Sequence, residues 1–276
     1  MTSIWTLRFS DEQAVRFMTT FALIGIMLDS AEMLISRGVY APNGMFTWQN
    51  NRLDYAEVLR RPLDGLFERF PFVYLVFVQL VCAIAAVIPG NNYSTIFIAA
   101  IILIRVLSII RNGHQGREGA DHLLLILLSC SVLYSLAPGL LVKRAILWFI
   151  AGETILAYVT SGVIKTLSPQ WRRGVAIRNI LSTKLFGNVL FERALGRHQW
   201  LGVAMCWTVI LFELSAPLMV LTSYRACLVF VSCGVLFHLG IAITQGLNLF
   251  VWVFFATYSS LLITARDVSP YLLGSR

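Results

Sequence analysis

Apolar runs long enough to cross the roughly 30 Å hydrocarbon core of a bilayer recur along the whole chain. They cover Ala14 to Leu34, Phe72 to Ile88, Tyr93 to Ile110, Asp121 to Leu136, Val142 to Ile164, Trp200 to Leu221, Arg225 to Thr244 and Leu247 to Ala265. Pro89-Gly90 and Pro138-Gly139 stop the second and fourth runs. The expected fold is an all-α integral membrane bundle of about eight transmembrane helices, a single transmembrane domain over residues 1–276.

Composition agrees. Hydrophobic residues make up 58% of the 276 and charged residues only 13%, about half the charged fraction usual in a soluble domain. The first run is expected to be a retained helix rather than a secretory signal. Asp11 and Glu12 precede it and Asp29 and Glu32 follow within it, where a signal peptide would open basic and end at a small-residue cleavage site.

The formal charge of +8 does not point to nucleic acid. The Lys and Arg residues crowd the short segments between apolar runs, where the lipid bilayer and its anionic headgroups are the expected partner. The five cysteines (82, 130, 206, 227 and 233) all fall inside apolar runs and form no CxxC. They read as plain buried thiols, with no metal site or disulfide expected.

Two connections are long. Residues 36–70 are polar, with turn signals at Pro42-Asn43-Gly44. Residues 166–199 are basic, but Ile177, Ile180, Leu181, Leu185, Val189 and Leu190 recur at helical spacing beside Arg172, Arg173, Arg178 and Lys184. That pattern predicts an amphipathic helix in the membrane interface. Most of the 22 Lys and Arg residues lie in connections on one side of the bundle, which by the positive-inside bias puts the long connections in the cytoplasm and both termini outside.

Ionisable groups at membrane depth cost several kcal/mol by insertion scales and therefore face a partner or a wet cavity. Asp29, Glu32, Arg105, Asp121, His122, Glu153, Lys165, Glu213 and His238 all fall in or at the apolar runs. Each has a plain structural reading. Asp29, Glu32 and Lys165 suit headgroup level, Arg105 suits pairing with an acid, and Asp121 suits an N-cap of the fourth helix. Glu153 and Glu213 suit internal hydrogen bonding, and His122 and His238 suit an interfacial and a core position. If the helices alternate in direction, Asp29, Glu32, Asp121, His122, Lys165 and His238 lie towards one membrane face and Glu213 nearer the other half or the middle. An acid, lysine and imidazole cluster on one side of a bundle is suited to proton transfer.

Five blocks in order resemble the HTTM family, the membrane domain of vitamin K-dependent gamma-carboxylases. They are AVRFMTTFALIGIMLDSAEMLISRGVYAPNG, GADHLLLILLSCSVLYSLAPG, YVTSGVIKTLSPQWRRGVAI, ELSAPLMVLTSYR and LFHLGIAITQGLNLFVWVFF. The resemblance implies catalytic roles for three residues. Lys165, in SGVIKTLSPQW, matches the lysine that deprotonates the hydroquinone; His238 and His122 fall near active-site histidines. Asp29, Glu32, Asp121, Trp171 and Glu213 are then the candidates for binding substrate, and a membrane quinone or quinol is the implied cofactor. The chain departs from the carboxylase pattern in three ways. It has a single lysine where the pattern has a pair, Gly162 to Trp171 is one residue longer, and Arg276 follows the last span with no large extramembrane domain. The resemblance also puts the Lys165 side outside the cell or in the lumen, opposite to the charge count.

Three functions follow. The first is an SdpB-like factor in the bacterial cell membrane that assists maturation or export of a secreted peptide, alone or with an accessory protein. The second is a quinol-dependent, carboxylase-like enzyme with Lys165 as base. The third is a small transporter, against which stand the lack of a repeat between halves and of paired broken helices.

Overall fold

The computed structural model describes residues 10–41, 44–69, 71–88, 93–113, 118–183 and 187–272. The turn residues Pro42 and Asn43, the stop at Pro89-Gly90, and Lys184 and Leu185 of the amphipathic pattern lie outside these. Among the described residues the fold is all helical. It falls into two compact units, Thr19–Ala137 and Met1–Met18 with Pro138–Arg276.

The Thr19–Ala137 unit holds most of α1 (Asp11–Ile35), then α2 (Trp48–Asn51), α3 (Glu57–Arg69), α4 (Phe72–Val87), α5 (Ser94–Asn112) and α6 (Glu118–Leu136). In lipid the apolar effect gives no net drive for helix association, so close packing and interhelical hydrogen bonds hold helices together. Here Gln79 Nε2 on α4 donates to Ser30 Oγ on α1 at 2.9 Å. The Thr19 and Ser131 hydroxyls of α1 and α6 meet at 2.8 Å.

The polar connection after α1 is built rather than loose. Asn51 Nδ2 donates to the Arg111 carbonyl at 2.8 Å and Tyr55 Oη to the Ile110 carbonyl at 3.2 Å. Both satisfy acceptors that the last turn of α5 leaves open. Burial raises the Tyr55 phenol above its ordinary range, and neighbouring Asp54 adds to the shift. Trp48 Nε1 and Arg52 both donate to Asp64, each at 2.7 Å. Asp64 belongs to α3, a 13-residue helix where the sequence predicts only a connection. Its charges hide the helical pattern from an apolar-run reading. Gly113, at φ 68°, ends α5 with its amide on the Ile109 carbonyl at 2.8 Å; a glycine is cheapest in that left-handed conformation.

The second unit contains α7 (Leu140–Leu167), α8 (Pro169–Arg172), α9 (Ala176–Leu181), α10 (Val189–Arg197), α11 (Gln199–Leu214), α12 (Ala216–Thr222), α13 (Tyr224–Gln245) and α14 (Asn248–Leu272), with the start of α1. α14 is its most enclosed span, with 67% of its apolar window buried against 22% for α13. The α14 hydroxyls turn back on backbone carbonyls, Thr257 to Phe254 and Ser260 to Thr257, while Ser259 reaches the Ala14 carbonyl at 3.1 Å. Small, internally satisfied residues let helices approach closely. α13 shows two faces. Cys227, Phe230, Gly234 and His238 point inward, and Val229, Leu236 and Ile243 are exposed at seven-residue spacing.

Among the described residues five helices, α1, α5, α6, α13 and α14, are each long and apolar enough to cross a membrane, and the number is up to seven if each of two bent pairs counts as one span. The chain is therefore a multi-pass membrane protein. Two expectations need correction. The sixth run is broken, because α11 and α12 meet at 44° and Pro217 in the first turn of α12 has no N–H to continue the helix. The amphipathic pattern after Lys165 is likewise two helices, α9 and α10. Asn188 caps α10, accepting from Phe191 N at 3.4 Å, and Arg178 on α9 pairs with Glu192 on α10 at 3.0 Å.

Candidate functional site

The second unit gathers the stronger cluster. Tyr158, Ser161 and Lys165 sit at i, i+3 and i+7 on α7, which puts them on one helical face. Lys165 Nζ lies 2.6 Å and 2.8 Å from the two carboxylate oxygens of Glu213 on α11 and also donates to Ser161 Oγ. Ser161 Oγ in turn donates to Glu213 Oε1 at 3.1 Å. The Trp171 ring, from α8, stands 5.1 Å from the ammonium, within range of a cation–π attraction. The lysine side chain is 18% exposed and the glutamate 5%.

Glu213, expected nearer the other half or in the middle of the bundle, thus comes level with Lys165. The cause is the chain between α7 and α11. Gly174, at φ 77°, lies against Val203, so that a Cβ there would overlap the Val203 backbone, and Trp207 Nε1 donates to the Arg172 carbonyl at 3.3 Å. The α8–α9 segment therefore covers the first half of α11. The last turn of α11, not its first, comes level with Lys165, and Gly162 packs on Leu214.

One to two turns back along α7, Tyr158 Oη is 2.9 Å from both His238 Nε2 on α13 and Tyr258 Oη on α14. The His238 ring stacks on Phe254 at 4.1 Å and 21°, and Phe212 and Phe230 flank Tyr158 edge-on. Gly234 makes room, since a Cβ there would overlap the Tyr258 hydroxyl. His238 Nδ1 is buried without a hydrogen-bond partner among the described residues. Buried polar groups are nearly always satisfied by protein or water, so such an atom is a candidate ligand contact. Phe212, next to Glu213 in the chain, packs edge-on against Tyr158, which makes the two hydrogen-bonded sets neighbours.

The other candidates belong to the Thr19–Ala137 unit. Arg105, 1% exposed, donates to Asp29 through Nη1 and to Asp121 through Nη2. The expected pairing of Arg105 with an acid is thus present twice. Asp121 is not an N-cap, because α6 already begins at Glu118, and Asp29 is buried. Glu32 and His122 are exposed. Glu153 is half-buried on α7. Four of the thiols are buried and Cys233 is exposed, and none is in a disulfide. Among the described residues no three His, Cys, Asp or Glu side chains gather as a metal-ligand set.

No family model, curated protein or solved structure matches the chain. The sequence reading missed Tyr158, Ser161 and Tyr258, although the spacing of the first two with Lys165 was open to inspection. It also missed Asn112.

Proposed function

We propose that the chain is an HTTM-type membrane protein whose second unit holds an acid–base site for a weakly acidic, lipid-soluble hydroxyl compound of the quinol class. The observation that supports this best is the Lys165–Glu213 pair set among aromatic side chains. An orphaned imidazole nitrogen beside stacked rings also fits an aromatic ligand bearing a hydroxyl. When bound, a quinol supplies an acidic O–H and reducing electrons. Lys165 passes its proton to Glu213 and so exposes the amine lone pair. The amine then takes the proton of a hydroxyl placed beside it, while Glu213 keeps the first proton and Ser161 and Trp171 hold Nζ in place. Tyr158 and Tyr258 orient His238 towards the ligand.

This reading counts α7 as a further span beside the seven, giving eight, and takes α9–α10 as lying in the interface of a bacterial cell membrane. Photolabelling with an azido-quinone tests it. Label on α7, α11 or α13, competed away by unlabelled quinol, is expected. Label confined to lipid-facing positions and not competed would refute the proposal.

A second reading, the SdpB-like peptide-maturation factor, draws on one observation. Val189, Leu190 and Phe191 form an exposed apolar edge on α10 next to exposed Arg193 and Arg197, a surface suited to an amphipathic peptide. Cross-linking of a secreted peptide to position 190 is expected on this reading and not on the first.

A further inference from the structure

The Thr19–Ala137 unit carries a second site that the proposed chemistry does not use. A small pocket opens at the end of α5, lined among others by Arg105, Ser108, Asn112 and Asp121, with room for about one water-sized group. Its walls are unequal. Asn112 is 3% exposed, and its Nδ2 has no acceptor among the described residues; the same is true of Arg105 Nε. Asn112 is not free to turn its amide over. Its Oδ1 already accepts from Arg111 Nη1, which fixes the orphaned NH₂ as a donor. The pocket also carries acceptor capacity in the Asp121 carboxylate and in Ser108 Oγ, whose own proton goes to the Ile104 carbonyl at 2.8 Å.

Two buried donors that lack acceptors, beside a carboxylate, do not suit a cation, which the N–H groups would repel. They do not suit an anion either, since Asp121 lines the same space. A group that both accepts and donates satisfies every wall. We propose that this pocket binds one hydroxyl group, that of a water or of a lipid-soluble alcohol or phenol, accepting from Asn112 Nδ2 and donating to Asp121. Bound there, the hydroxyl proton adjoins Asp29–Arg105–Asp121, where two carboxylates share one guanidinium.

High-resolution electron cryo-microscopy of the full chain tests this in nanodiscs of phosphatidylcholine alone, and again with a short-chain hydroquinone added. Compact density within hydrogen-bonding distance of Asn112 Nδ2 in the first sample identifies water. Its replacement by ring-shaped density in the second identifies a phenol. Either result supports the site. A pocket without density in both samples, or an Asn112 amide turned onto a protein acceptor, overturns it. Because the native chain is used, a folding defect cannot mimic the negative result.

Discussion

Lys165 and Glu213, 48 residues apart in the chain, share a two-oxygen ion pair at 2.6 Å and 2.8 Å. Each partner is mostly withdrawn from solvent, so the pair behaves as one unit. Removing one member of a buried pair strands the other and costs about 3–5 kcal/mol. Lys165→Ala and Glu213→Ala are each expected to lower unfolding stability in mixed micelles by that order. The double variant should lose less than the sum. Additive losses would show that the two groups do not depend on each other.

Arg105 neutralises two buried acids from different helices. Arg105→Ala strands both Asp29 and Asp121 and is expected to be the most damaging change in its unit. It should reduce folded yield well beyond Asp29→Asn or Asp121→Asn, since each of these leaves the guanidinium one full charge partner. Size-exclusion profiles of the three variants check the order.

Gly234 faces the Tyr258 hydroxyl with no space for a methyl group. Gly234→Ala should displace that hydroxyl and cost about 1–3 kcal/mol of overpacking. Tyr258→Phe in the same chain removes the nearer clashing atom and should recover part of the loss, since the ring carbon Cζ stays at 2.9 Å. Thermal midpoints of the two variants give the comparison; no recovery would contradict the placement of Tyr258.

Cys233 is the exposed thiol among five. A lipid-soluble maleimide should label it first in the folded protein, with Cys82, Cys130, Cys206 and Cys227 reacting only after denaturation. Mass spectrometry of the labelled peptides reads the result.

Much of the architecture was open in the sequence because lipid imposes a length rule on apolar runs. The run from Tyr93 to Ile110 corresponds to α5, Ser94–Asn112, and the run from Arg225 to Thr244 to α13, Tyr224–Gln245. The pairing of Arg105 with an acid followed from the cost of an isolated charge. Other features depended on tertiary geometry. The height of Glu213 is set by the cover that α8 and α9 lay over α11, which no periodicity reports. α3 is charged throughout and gives no apolar signal. Tyr158 and Tyr258 lie in apolar runs where a tyrosine passes for core, and only their meeting at His238 marks them as a set. His122 carries a reactive side chain, but α6 turns it outward.

The most direct test of the acid–base proposal is the absorbance of a short-chain naphthohydroquinone bound to the purified protein under anaerobic conditions. Wild-type protein should convert bound ligand to its anion, while Lys165→Ala should bind it and leave it protonated. No anion with the wild-type protein, or an equal anion signal with Lys165→Ala, would contradict the account.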